Sequence, residues 1–318
     1  MPEGPEVRKY ADALAAGLTG RHITLMEART REAHKWLKEN QQLVVGRRID
    51  RVVSHGKHLI GFIDGSFFFH SHLMMWGRWQ TFGPQATTKA SGKRSKPFAL
   101  PEKDRRERAR IVVEGAAAIL LSAPIFNVDA GDPYDKVEIL QTLGPDVLPY
   151  NQRFDSREFQ RRLLSPEYHT LEIGAALLNQ QIVAGLGNYL RAEVLFVCKV
   201  NPWLRVSELS ERDLTCLTRT IPRLAQAAYR FGATALEEDR NRMAADSTLV
   251  YQPGREYGTR HMVFRRTNLP CLRCGERIKQ LRQKTHNAVA GGEEERTRIM
   301  YFCAKCQKVP IRATSDKP

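Results

Sequence analysis

The segments CLRC (271–274) and CAKC (303–306) place four cysteines in two C-x2-C knuckles with residues 275–302 between them. Four thiolates at this spacing suit a tetrahedral Zn2+ ion, and a hairpin between the knuckles would bring them together. Cys271, Cys274, Cys303 and Cys306 would fill every position, so such a metal builds a fold and leaves no open site for catalysis. Disulfides, a redox pair and an iron site are the competing readings of the same spacing. Cys198 and Cys216 stand apart in apolar contexts and read as free buried thiols.

Phosphate chemistry is the second theme. Residues 176–196, ALLNQQIVAGLGNYLRAEVLF, hold two helical patterns broken at Gly185-Leu186-Gly187-Asn188. The glycines permit a tight turn, and the N–H groups opening the second helix, with the Asn188 amide, form a place for an anion. A plain helix hairpin turning on glycine is the alternative. Lys57, in VVSHGKHLIGF, is a phosphate ligand or an exposed-face lysine. Arg298, at the start of the strand entering the second knuckle, is presented to nucleic acid or simply solvated. In HLMMW (72–76), Met75 suits either a wedge for a base stack or core packing. His70 and His72 lack a third ligand at metal spacing and read as structural.

The chain opens MPEGPEV, with a proline directly after Met1. Proline suits the first turn of a helix, and from Pro5 the apolar residues Val7, Tyr10, Ala11, Leu14, Ala15 and Leu18 recur at helical spacing up to Gly20. Residue 2 is then held at the end of a packed element, as an enzyme using that residue would require. Strand-like runs follow at 59–63 and 66–70 around Asp64-Gly65, and at 110–113 and 117–122 around Glu114-Gly115. Both pairs read as hairpins, so the first half is mostly antiparallel sheet in two packed layers. Residues 84–108, polar and basic, read as a long surface loop. After about residue 150 the pattern turns helical. The resulting division is a sheet domain at 1–145, a helical domain at 150–262 and a four-cysteine hairpin at 263–310.

The chain has 318 residues, 42% of them hydrophobic, enough for a sizeable core in two or three domains. Fifty Lys and Arg against 35 Asp and Glu give a net charge of +15, with a basic excess from Arg255 onward. That balance favours a polyanionic partner such as nucleic acid over a small neutral ligand. No apolar run of roughly 18 residues and no signal-peptide layout is present; the expected location is cytoplasmic and nucleoid-associated, with no membrane contact.

Taken in order, PEGPEV, the Gly-Lys before a strand, HLMMWG, LGPDVL, LLNQQIVAGLGNYLRAEVLF and a cysteine hairpin ending RIMYFCAKCQ resemble the formamidopyrimidine-DNA glycosylase and endonuclease VIII family. The likeness spans nearly the whole chain. It implies an α+β fold: an N-terminal antiparallel β-sandwich with an N-terminal helix, a helix-two-turn-helix domain and a zinc β-hairpin. It also implies a monomer acting on damaged DNA held in a basic cleft, with one structural Zn2+.

For the site, the resemblance implies that loss of Met1 frees the Pro2 amine. An α-amine titrates near pH 8, so a useful fraction is a neutral nucleophile. Pro2 would attack C1′ of the damaged nucleotide, Glu3 would protonate the sugar ring oxygen and Glu6 would support the site. A Schiff base, then β- and δ-elimination, would follow. Lys57, also counted with the catalytic set, would join Asn188 and Arg298 in holding the flanking phosphates, while Met75 fills the vacated stack. SAPIFN (122–127) keeps the family's Phe126 as a further DNA contact but offers Pro124 and Ile125 where purine-repair members carry paired arginines. Weak reading of the opposite strand is therefore expected, with oxidised pyrimidines as favoured substrates and single strands or bubbles tolerated. Oxidised purines, or damage sensing without catalysis, are the alternatives.

Overall fold

A computed structural model describes residues 2–83, 98–251, 256–289 and 292–310. Met1, residues 84–97 of the expected basic loop and the tip at 290–291 lie outside the described residues. The chain forms two compact units, Met1–Thr142 and Leu143–Pro318.

The first unit begins with α1 (Gly4–Leu18). Val7, Ala11, Leu14 and Leu18 bury one stripe of it at helical spacing. Strand β1 (Ile23–Ala28), helix α2 (Arg31–Val44) and strands β2 (Ile49–His55), β3 (His58–Ile63), β4 (Phe67–His72), β5 (Arg78–Phe82), β6 (Glu107–Val113), β7 (Ala116–Leu121) and β8 (Ile125–Ala130) follow. They make two four-stranded antiparallel sheets, ordered β1-β6-β7-β5 and β2-β3-β4-β8. Leu59, Ile63, Phe69 and Val128 from one sheet share a core with Met26, Ile111, Ala118 and Leu120 from the other, and with α1. Both expected hairpins form. Asp64 and Gly65 take positive φ between β3 and β4, and Gly115 does so between β6 and β7.

The expected loop through residue 108 ends sooner. Strand β6 starts at Glu107, because Glu107 and Arg110 are buried as a bidentate ion pair, both bonds 2.8 Å, and Arg110 Nη1 also donates to Pro101 O. Short helices α3 (Pro133–Lys136) and α4 (Glu138–Thr142) close the unit.

The second unit holds α5 (Ser156–Leu163), α6 (Ile173–Ala176), α7 (Asn188–Cys198), α8 (Glu211–Phe231), α9 (Glu237–Ala245) and the antiparallel pair β9 (Lys279–Val289) and β10 (Gly292–Phe302). Helical and hairpin segments are not separate bodies: Ile173, Leu190, Ile221, Cys271, Ile278, Met300 and Cys303 belong to one buried cluster. Cys198 and Cys216 are not free thiols as expected; they form a disulfide joining the end of α7 to the second turn of α8. No helix among the described residues is long and apolar enough to cross a membrane.

Candidate active site and nucleic-acid interface

The N-terminus is fixed by the start of α1. The Glu3 N–H donates to Glu6 Oε2 at 2.9 Å, and the Glu3 carbonyl accepts from the N–H groups of Glu6 and Val7. Glu3 itself is buried at the positive end of the helix dipole, and Pro2 is half-buried directly before it. Pro2 and the Glu3 carboxyl group are thus held at the start of one rigid element, with Glu6 bracing the backbone.

Lys57 lies in the two-residue turn joining β2 to β3, where Gly56 takes φ +57°. It is buried, which sets aside the exposed-face reading. Behind it stand three histidines. His58 Nδ1 and His70 Nε2 are 2.9 Å apart, and the His72 ring lies 4.8 Å from that of His58. Burial, reinforced by the other rings and by Lys57, holds His58 well below its ordinary pKa. Burial and His72 lower His70 to about 4, and burial and Lys57 lower His72 to about 4. The three rings are therefore neutral near pH 7 and add no positive charge beside Lys57.

His72 also shapes the next turn, accepting the Met74 N–H at Nδ1. Gly77 N–H closes that turn on Leu73 O at 2.8 Å, and a Cβ on Gly77 would collide with the same oxygen. The turn displays Met74, Met75 and Trp76, the last two 53% and 80% exposed. Met75 is thus not core. Its companions Met74 and Trp76 went unremarked in the sequence, although the uninterrupted run HLMMW carried the signal. Phe126 requires correction. It is fully buried, with its ring against Phe69 and Trp79 and its carbonyl accepting from Thr30 Oγ1, so it offers no surface to a nucleic acid. Its neighbour Ile125 is the exposed one.

In the second unit, Gln180 staples the turn before α7: its amide donates to Leu178 O and Leu186 O and accepts the Gly185 N–H. Asn188 then opens the helix. Arg191 Nη2 donates to Asn188 Oδ1 at 2.6 Å, which leaves the Asn188 NH2 as the donating end of that amide. The same guanidinium donates to Gly174 O, Gln283 Oε1 and Ile299 O. Arg298, exposed on β10 and paired in register with Gln283, is therefore flanked by the residues that Arg191 ties to Asn188. Two residues further along α7, Glu193 accepts the N–H groups of Met262, Val263 and Phe264 and the Thr234 hydroxyl. Sequence reasoning missed Arg191 and Glu193; their signal was two charges inside an otherwise apolar helix.

The four knuckle cysteines converge, every sulfur lying within 4.8 Å of the others. The shorter separations, 3.5 Å for Cys274 to Cys303 and to Cys306 and 3.9 Å for Cys271 to Cys306, bracket the ~3.8 Å edge of a tetrahedron with metal–sulfur bonds of about 2.3 Å. The group can hold a metal ion. Among the described residues it is the one cluster of metal-ligating side chains so arranged.

Comparison with known proteins agrees with this geometry. The family model for the formamidopyrimidine-DNA glycosylase N-terminal domain matches residues 1–117, and that for the H2TH domain of the same glycosylase matches residues 143–239. Endonuclease 8 of Pectobacterium atrosepticum is 28% identical over 307 residues, covering 96% of this chain and all of that protein. Endonuclease 8 of Salmonella typhi is 27% identical over 310 residues, covering 97% of this chain and all of its own length. The fold matches Lactococcus lactis Fpg in complex with DNA containing an abasic site, with a TM-score of 0.68, 24% identity and coverage of 96% and 99%. MutM in complex with DNA containing carbocyclic 8-oxo-G gives a TM-score of 0.68 at 24% identity, covering 96% of this chain and all of that one. With both family domains present in order and the curated relatives matched over their whole length, the chain belongs to the formamidopyrimidine-DNA glycosylase and endonuclease VIII family of DNA glycosylases and AP lyases.

Proposed function

We propose that this protein removes oxidised bases from DNA and cleaves the strand at the resulting site, using the Pro2 amine as nucleophile. The observation that carries the reading is the start of α1, where Pro2 and the buried Glu3 are adjacent on an element fixed by Glu6. With Met1 removed, the Pro2 nitrogen attacks C1′, the N-glycosidic bond breaks, and the base leaves with its electron pair and takes up a proton. Glu3 protonates the ring oxygen as the sugar opens. The iminium ion formed makes the C2′ proton acidic. Its loss expels the 3′ phosphate, and a second elimination expels the 5′ phosphate.

Lys57, the Asn188 amide and Arg298 bind the phosphates around the lesion, which positions the duplex without reading sequence. Extruding the nucleotide costs a few kcal/mol. Met75, with Met74 and Trp76 beside it, fills the gap left in the stack, and the Gly77-closed turn supports this by holding the three side chains out. Cys271, Cys274, Cys303 and Cys306 hold one Zn2+, which when bound supplies the tetrahedral fixation of the hairpin that presents Arg298.

Oxidised pyrimidines are the favoured substrates, with single-stranded or bubble DNA tolerated, because residues 122–127 carry no arginine for the opposite strand and Phe126 is withdrawn into the core. The test is borohydride trapping on DNA with an abasic site, after confirming a free N-terminal proline. A covalent adduct is expected, and its absence in protein that still binds the DNA would reject Pro2 catalysis. Single-turnover excision then ranks substrates. A strong preference for 8-oxoguanine opposite cytosine, with no activity on single strands, would overturn the pyrimidine assignment.

A further inference from the structure

Helix α8 carries a feature that the site above does not use. Arg212, Arg219, Arg223 and Arg230 are spaced by seven, four and seven residues. At 3.6 residues per turn they fall within about 20° of a single line roughly 27 Å long. All four are exposed. Among the described residues none of them forms an ion pair. The acidic residues of α8, Glu211 and Asp213, sit in its first turn, and Asp213 is held by Ser210; from Leu214 to Phe231 the helix has no carboxylate. Asp239, which lines a neighbouring cavity with Arg223, is paired with Arg242.

Part of the stripe is concave. Arg212, Thr215, Cys216, Arg219, Thr220 and Arg223 line a groove of about 550 Å3. Its floor is firm: Cys216 is bonded to Cys198 of α7, and the opposite face of α8 buries Leu217, Ile221, Leu224 and Ala228. Asn188 lies at the other end of α7, ten residues from Cys198 and so ~15 Å away along the axis. The stripe is therefore a separate place from the Asn188 turn.

We propose that the α8 stripe is a second binding surface for the DNA sugar-phosphate backbone. Its chemistry favours phosphodiesters over an acidic protein. Guanidinium forks match phosphate oxygens bidentately, whereas protein interfaces rely on buried apolar anchors, and no large apolar side chain is exposed on α8 between Arg212 and Arg230. The inference rests on the reading of DNA as substrate. The backbone comes either from the flank of the damaged duplex or from a second duplex.

The test compares the wild-type protein with R212A/R219A/R223A/R230A and with the corresponding four-lysine variant. Binding to undamaged duplexes of about 12 and about 40 base pairs is measured against salt, where each phosphate that the protein ceases to neutralise lowers the slope of log K on log[salt] by about 0.9. The alanine variant should lose about 2 to 4 units of slope, with lysine restoring most of it. Loss on the long duplex alone, in a one-to-one complex, identifies the flank. Loss of co-capture of two differently labelled short duplexes identifies a second molecule. Single-turnover excision on a short lesion duplex should be unchanged, which separates this surface from the active site; a slope change in a protein without excision activity would remove the proposed function and leave the surface standing. Equal slopes and equal co-capture for wild type and alanine variant, both with native thermal stability, would overturn the proposal. So would an alanine variant that instead loses only an acidic protein ligand.

Discussion

The neutral histidines behind Lys57 predict a specific acid sensitivity of the first unit. His70 and His72 are held at about 4 in the folded chain, by burial and by His72 and Lys57 respectively, against about 6.5 when unfolded. The unfolded chain therefore binds more protons between these values, and stability falls as pH falls. Their contribution is fully present above pH 6.5 and is lost as the pH drops toward 4. At pH 5 each unfolded imidazole has gained about 2 kcal/mol from protonation that the folded ring forgoes, so the pair removes up to ~4 kcal/mol relative to pH 7.5. His58, lowered in the same direction, adds to this. A loss of that size is a large share of a domain's usual 5–15 kcal/mol. Urea unfolding followed by tryptophan fluorescence in a Trp203→Phe background reports the first unit, which holds Trp36, Trp76 and Trp79. The midpoint should fall steeply from pH 7.5 to 5, and H70Q/H72Q should show a shallower pH profile whatever its absolute stability. A flat wild-type midpoint, or parallel profiles for the two proteins, would refute the reasoning.

Three further outcomes are expected. Arg191→Lys keeps the charge but cannot span four acceptors; two buried acceptors left without donors cost about 1–3 kcal/mol each, so calorimetry should show the second unit melting roughly 10 °C lower, with weakened DNA binding. Cys303→Ser should reduce the metal content measured by mass spectrometry and weaken DNA binding, because the ligands lie in the unit's core; full affinity in metal-free protein would contradict this. Glu3→Gln should nearly abolish base removal while leaving much of the cleavage at a preformed abasic site, and equal loss of both would exclude Glu3 as the proton donor to the sugar.

Legibility in the sequence followed the range of the interactions. The start of α1 and the Asp64-Gly65 and Glu114-Gly115 hairpins are written in adjacent residues, and they formed as expected; the first helical pattern of 176–196 did not, since α6 ends at Ala176 and turns carry the chain from 177 to the start of α7. Phe126 was misread because its facing is decided by pairing with β4, where it stands opposite Ser71; a shift of one residue would have exposed it. Glu107 looked like a loop residue because its burial depends on the ion pair with Arg110, three residues into the strand. The Cys198–Cys216 bridge needed α8 to pack back against α7, which no spacing rule encodes. Arg191 and Glu193 belong to the same class, since their partners lie up to 108 residues away.

The shared interior of the second unit bears on how such a protein could be taken apart. Arg191 reaches from α7 to the carbonyl of Ile299, Gln283 reaches back from β9 to Glu172 and Pro202 O, and Glu193 grips the backbone at 262–264. Cutting the chain near residue 262 would strip two buried ions of their counter-groups and uncover the apolar seam under Met300. The cysteine hairpin is consequently not a portable cassette: grafting it elsewhere, or trimming it to obtain a minimal helical fragment, should yield insoluble material from both halves. Splicing between relatives would succeed only with crossovers placed outside the whole span from Leu143 to Val309.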